Sequence, residues 1–274
     1  MPVLAALWGM GLLTIISVSL LWSATESQVL ARSAMEAAEI DMSVEAAVNR
    51  AVLALLASRA EQRWQTNGTA QMFEFNATRM MISIQDELGL LDLNQAEPSV
   101  LTRLMQGAGL DRQSATGLVD KILDWRDSTS LRRLNGAKDS DYRDAGRTYR
   151  PREGSFQSVG ELRLVMGMTP ALFSRVESAV TVYSGRQFVD SNVAPPQVLA
   201  ALQNSGARDA LPTGSNQQSL TTQLAVGSAA QLRGRAFTVK TTVEKAGNQI
   251  SQQATIRLTE NAHEPFWLLN WRLK

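Results

Sequence analysis

From Pro2 to Thr25 the chain carries no charged side chain, and from Glu26 to Arg63 it contains neither proline nor glycine. The first stretch is about twenty apolar and small residues, the length at which a helix crosses a bilayer's hydrocarbon core with every backbone polar group paired internally. Leu4, Leu7, Trp8, Leu12, Ile15, Ile16, Leu20 and Trp22 are the expected anchor residues, with the two tryptophans towards the interfaces. A cleaved secretory signal has a basic flank ahead of its apolar run; no Lys or Arg precedes this one. In the second stretch Val29, Leu30, Met35, Ile40, Val44, Val48, Val52, Leu55 and Leu56 recur mostly at three- and four-residue steps. That spacing predicts one amphipathic helix continuing from the apolar run to about Trp64.

The remaining sequence must supply what covers that helix. Phe237, Val239 and Val243 alternate with polar residues, and Ala246-Gly247-Asn248 offers a turn. Ile250, Ala254, Ile256 and Leu258 then alternate, as do Trp267, Leu269, Trp271 and Leu273. These segments predict an antiparallel meander with one buried face and the Trp267/Trp271 pair in its core. A fourth strand is expected far upstream at 78–85. So small a sheet needs a helix on its apolar face, and the amphipathic segment 26–64 is the available one.

Between the upstream strand and the last three, about residues 90–205, the pattern is helical. It contains an internal echo: Leu91-Asp92-Leu93-Asn94 through Pro98-Ser99-Val100-Leu101, and Val189-Asp190-Ser191-Asn192 through Pro196-Gln197-Val198-Leu199. Both copies read as helix starts, with Asn or a turn followed by Pro in the first turn. Further helices are expected at 112–126, 158–165 and around 170–180. Gly107-Ala108-Gly109 fits a helix hairpin, the kind of element that binds DNA phosphate through backbone amides, but no Lys/Arg stripe accompanies it. The predicted class is α+β: a long N-terminal helix on a small antiparallel sheet, interrupted by a large all-helical insertion resembling SAM-like or helix-hairpin-helix modules. The organisation is 1–25 membrane segment, 26–89 amphipathic helix and first strand, 90–205 insertion, and 206–274 remaining strands.

Composition limits the chemistry. A formal net charge of +1 offers no field for a row of phosphates. The chain has no cysteine, and its one histidine, His263, is expected to face solvent just before the last strand. Thiol chemistry, Cys-type zinc sites and histidine triads have nothing to work with, and no catalytic residue is assigned. Between 127 and 156 acids and arginines crowd a loop-like stretch. Asp139 and Asp141 have the one-residue spacing common in calcium loops, and Asp127 and Asp144 complete a candidate cation set. The competing expectation is pairing with the neighbouring arginines, Arg132, Arg133, Arg143, Arg147, Arg150 and Arg152. Paired carboxylates for glycoside hydrolysis are the less favoured reading, since nothing marks a sugar cleft.

A continuous helix, apolar and then amphipathic, resembles the type IV pilin family, and several runs resemble its K-class minor pseudopilins. They are Asp86-Glu87-Leu88-Gly89-Leu90-Leu91-Asp92-Leu93-Asn94, Ile122-Leu123-Asp124-Trp125-Arg126-Asp127, Phe156 to Met168 with Gly160 where an acid is usual, and Val189 to Leu202. Ala5 stands where major pilins carry a glutamate, which the K class characteristically lacks. The resemblance implies a single-pass protein of the Gram-negative inner membrane with its globular part in the periplasm. It implies a place at the tip of the type II secretion pseudopilus beside the I- and J-class minor pseudopilins, and calcium in some members. It also implies a basic leader removed by the prepilin peptidase. No such leader is seen, so the chain begins near the processed end or its start lies further upstream. The alternative from another class is a membrane-tethered DNA-binding or uptake protein.

Overall fold

The structure, a computed structural model, describes residues 2–75, 78–203, 232–245, 248–261 and 263–273; within the first helix the side chains of 15–27 are not described. Helix α1 runs unbroken over Pro2–Leu56. It stops eight residues short of the expected Trp64, although no Gly or Pro stands there. The reason is Arg63, whose guanidinium folds back onto the carbonyls of Ala57 (2.8 Å) and Ser58 (3.3 Å). Those are carbonyls that a longer helix would have satisfied itself. Trp64 then packs under Arg50, 4.6 Å from the guanidinium carbon to the ring centre.

The early stop releases enough chain for a strand that the sequence pattern did not suggest, β1 (Asn67–Phe75). It forms a hairpin with β2 (Thr78–Asp86) and makes a five-stranded antiparallel sheet with β5 (Ala236–Lys245), β6 (Asn248–Leu258) and β7 (Phe266–Leu273), in the order β1-β2-β5-β6-β7. The turn residues Ala246 and Gly247 lie outside the described residues. One face of α1 closes on the sheet. Ala47, Val48, Ala51, Val52 and Leu55 meet Met80, Ile82 and Ile84 of β2, Phe237, Val239 and Val243 of β5, and Ala254, Ile256 and Leu258 of β6. The two alanines let helix and sheet approach closely, and each large side chain buried here contributes roughly 1.5–3 kcal/mol. Leu30 and Met35, expected on the same face, are exposed because the sheet begins further along the helix.

The expected tryptophan core in the last strand is not formed. A bulge in β7 sets Asn270 opposite Thr255 but Leu268 opposite Ile256, so Leu269 is unpaired and the alternation changes phase. Trp267 is left 58% exposed, while Phe266, Leu268 and Trp271 turn towards Asp41, Glu45 and Val48 of α1.

The insertion is not wholly helical. It opens with a short 3-10 turn (Glu87–Gly89) and β3 (Leu91–Asp92), which pairs in parallel with β4 (Val180–Thr181). Between them lie α2 (Pro98–Gly107), α3 (Arg112–Arg126), α4 (Asp139–Asp144), a 3-10 segment over Val159–Leu164, and α5 (Pro170–Val176). The return helix is α6 (Pro196–Gln203). The stretch read as a loop thus holds a helix. Two expected helices are shorter than their periodicity promised, one being a 3-10 turn and the other giving way to β4. The proposed boundary at 205/206 falls outside the described residues.

Candidate functional site: the joint between sheet and insertion

The two halves meet where β2 ends. The Asp86 N–H donates to Thr66 O (2.7 Å), just beyond the end of α1, and Asp86 pairs with Phe237 near the start of β5. The insertion therefore leaves and re-enters the sheet at one end. Nearer the middle of the sheet, Asp41 accepts from Gln252 at 3.3 Å. From Asp41 to Leu56 the helix climbs about 22 Å, so the insertion stands at the end of the sheet remote from the apolar half of α1.

Asp86 and Glu87, both buried, fasten this joint, and the buried Asp92 holds the adjoining part of the insertion together. Asp86 caps the 3-10 turn by accepting from the Leu88 N–H (2.9 Å) and forms an ion pair with Arg235. The carboxylate of Glu87 accepts from the hydroxyls of Thr181 in the insertion and Thr238 in the sheet. Asp92 accepts from the Asn94 N–H (2.8 Å), the Ser184 hydroxyl (3.0 Å) and the Gly185 N–H (2.7 Å). Burial pushes Glu87 up to about 7, against the two threonine hydrogen bonds. Burial likewise raises Asp86 to about 6, with the Arg235 charge pulling the other way. Gly89 completes the joint: a Cβ there would lie 2.3 Å from the Val193 carbonyl oxygen. The Asp86-Glu87-Leu88-Gly89 run was visible in the sequence; that each member holds the joint was not, because Thr181, Val193 and Arg235 lie some 90 to 150 residues away.

The echo has a physical basis. Asp92 accepts from the Asn94 N–H and Asp190 from the Asn192 N–H (3.0 Å), the same side-chain turn leading to Pro98 and Pro196 in the first turns of two helices that pack together. The cap of α2 itself is Glu97, with no side-chain hydrogen bond. The Trp125-Arg126-Asp127 run also has one task per residue. Trp125 stacks on Phe156 (6.1 Å between centroids) and its indole donates to Glu161 (3.4 Å). Arg126 donates to the Leu93 and Ala96 carbonyls, and Asp127 accepts from the Thr129 N–H (3.0 Å). Glu161 takes Arg152 as its partner (2.6 Å), supplying the acid beside the departing Gly160.

The four candidate cation ligands are already engaged or apart. Asp127 meets Arg133 at 3.1 Å, Asp141 meets Arg132 at 2.7 Å, and Asp139 meets Arg143 at 3.3 Å. Hydrogen bonds from Thr129 and from Lys138 hold Asp127 and Asp141, respectively, below the usual carboxylate range. Asp144 is exposed. No three metal-ligating side chains of the Asp, Glu, His and Cys types come together among the described residues. The buried cation of this region is the chain's own: Lys138, 7% exposed, donates its ammonium to the carbonyls of Asp124 (3.0 Å) and Asp127 (2.8 Å) at the end of α3. As the side chains stand, arginines hold three of the four candidate carboxylates.

Gly107-Ala108-Gly109 forms the turn between α2 and α3, with Gly109 at φ 103°. Its amides are used internally: Ala108 N–H to Leu104 O, Gly109 N–H to Gln106 O, and Leu110 N–H to Met105 O. None is left to hold a phosphate, so the nucleic-acid alternative has no support in the hairpin. His263 is exposed, as expected. Leu4, Leu7, Trp8 and Leu12 are exposed on α1, while the side chains of Ile15, Ile16, Leu20 and Trp22 lie outside the described residues. Among the described residues no helix is long and apolar enough to cross a membrane.

A long helix laid on a small antiparallel sheet, with the insertion returning at one sheet end, is the pilin-like architecture. Residues 75–185 match the family model "Type II secretion system (T2SS), protein K". The chain is 30% identical over 128 residues to type II secretion system protein K of Klebsiella pneumoniae, covering 42% of this chain and 39% of that protein. It is 36% identical over 83 residues to the Dickeya chrysanthemi protein of the same name, covering 30% and 22%. The matches thus span about two fifths or less of those relatives. A chain in the crystal structure of the GspK-GspI-GspJ complex from the enterotoxigenic Escherichia coli type 2 secretion system shares the fold, at TM-score 0.64 and 17% identity, over 89% of this chain and 98% of that one.

Proposed function

We propose that this chain is a structural minor pseudopilin, not an enzyme, seated at the tip of a periplasmic pseudopilus that exports folded proteins. One observation carries the reading: the insertion stands at the sheet end remote from the apolar half of α1. In a filament whose apolar helices bundle together, a subunit so crowned blocks addition above it while leaving its helix free to pack below. The partners are the I- and J-class minor pseudopilins, and the solved relative in complex with GspI and GspJ supports that choice. Before assembly, residues 1–25 hold the chain in the inner membrane after processing by the prepilin peptidase. The support is the uncharged sequence 2–25, the unbroken helix and the exposed Leu4, Leu7, Trp8 and Leu12.

Calcium at Asp127, Asp139, Asp141 and Asp144 enters as a separate proposal, in which the ion displaces Arg132 and Arg133 from their carboxylates. The test of both is gel filtration with light scattering on the full chain in detergent, mixed with I- and J-class pseudopilins, in calcium and in chelator. A ternary complex is expected. Separate elution of the three proteins in both conditions would sink the tip reading, and identical elution and stability with and without calcium would sink the ion.

A further inference from the structure

Between α2, α5 and α6 lies an open cleft of about 740 Å³ that no part of the proposed function uses. Its accessible apolar lining is Ala108 and Ala200, over the buried Leu104 and Val176, and two arginines rise from its walls. Arg103 is tethered through Nε to the Ala201 carbonyl (3.2 Å), and Arg175 through Nη1 to the Ala108 carbonyl (2.8 Å). Each is positioned by one hydrogen bond to the backbone, which leaves further guanidinium donors at the cleft. Among the described residues no carboxylate lines it. This sets the pair apart from Arg132, Arg133, Arg143 and Arg152, each of which has an acid within 3.3 Å. Arg126, also held by carbonyls, uses both terminal nitrogens on them.

We infer that this cleft binds an acidic peptide segment of another protein, with carboxylates taken by Arg103 and Arg175 and apolar side chains lying on Ala108 and Ala200. A planar guanidinium whose orientation is already fixed receives a carboxylate in a two-pronged geometry at little further entropic cost. The charge is complementary to acid alone, and the apolar lining favours a peptide over a phosphate backbone. A nucleic acid would need a longer basic row than two arginines, and the hairpin bordering the cleft offers it no free amide. The inference rests on the insertion's own geometry, so it stands or falls apart from the tip assignment.

The test uses the full chain in detergent and a fluorescein-labelled octapeptide of six Glu/Asp and two Leu residues, followed by anisotropy. Saturable binding that weakens with salt is expected, as is at least a tenfold loss, about 1.4 kcal/mol, for the Gln/Asn analogue. Replacing both arginines risks loosening the helices they tether. The sharper variant is therefore Gln106→Glu with Ser174→Glu, which sets two acids on the exposed rim and leaves both tethers intact. It should keep the thermal midpoint and lose binding by a similar factor. Equal affinity for the neutral analogue overturns the inference. So does unchanged binding by the rim variant, absence of saturable binding, or tighter binding of an eight-base oligothymidylate.

Discussion

The two halves of this molecule are held together by different means. In the sheet half one long helix face meets a continuous ladder, and regular backbone pairing carries the structure. The insertion has short helices, and its buried core is fastened by side chains reaching backbone groups: Arg126 to Leu93 and Ala96, Asn94 to and from Phe156, Lys138 to Asp124 and Asp127, Arg175 to Ala108. Short elements leave many terminal N–H and C=O groups without an internal partner. Each must be met by a side chain, and losing that side chain strands a buried polar group. Mutational cost in the insertion should therefore concentrate at a few polar residues, whereas in the sheet half it should spread over the apolar face.

The largest effect should come from breaking the joint that both halves share. Gly89→Ala drives a methyl against the Val193 carbonyl, backbone that cannot rotate away, and should cost about 3 kcal/mol in urea unfolding. A loss below about 0.5 kcal/mol would mean that the joint yields easily. Next is Lys138→Met, which keeps the stem but strands two carbonyls, for a loss of about 2 kcal/mol. Hydrogen exchange would localise it: amides of α3 should lose protection while those of β5 keep theirs. Equal loss in both would show that the halves unfold as one unit and would erase the comparison.

A further effect concerns pH. Glu87 and Asp86 have folded values above their unfolded ones, so the folded state holds protons more tightly than the unfolded chain between roughly pH 4 and 7. Their contribution is present at the acid end of that window and is lost as pH rises through about 6 and 7. Stability should thus fall from pH 5 to pH 8, and Glu87→Gln should flatten most of that slope. Asp127 and Asp141, held low, act in the opposite sense only at more acid pH. A slope unchanged in Glu87→Gln would place the titration elsewhere.

Much of the fold was legible in the residues. The apolar stretch, the helix periodicity, the alternation in β5 and β6, the bounds of α3 and the paired helix starts all express local rules, and local rules act within a few residues. What the sequence pattern misjudged was decided at a distance or by irregularity. Arg63 ended α1 early and freed β1; a single bulge at Leu269 put Trp267 and Trp271 on opposite faces; β4 took residues that read as helix because β3 lay beside it. The candidate site shows the same division. Asp127, Asp139 and Asp141 looked like cation ligands by spacing, but the arginines that meet them were placed by the path of the loop. Glu87 carried no local signal at all.

The sequence by itself determined that a long helix would run from an apolar to an amphipathic half, that a small sheet would cover it, and that a helical block would split that sheet. Those outcomes follow from hydrophobic period and turn chemistry, which are properties of neighbours along the chain. Only the tertiary structure decided that two buried carboxylates would lock the block to one sheet end, that a lysine would hold the end of α3, and that two arginines would face a cleft without an acid among the described residues. These depend on groups far apart in sequence meeting where water is excluded, and in that setting a single hydrogen bond or charge decides which arrangement persists.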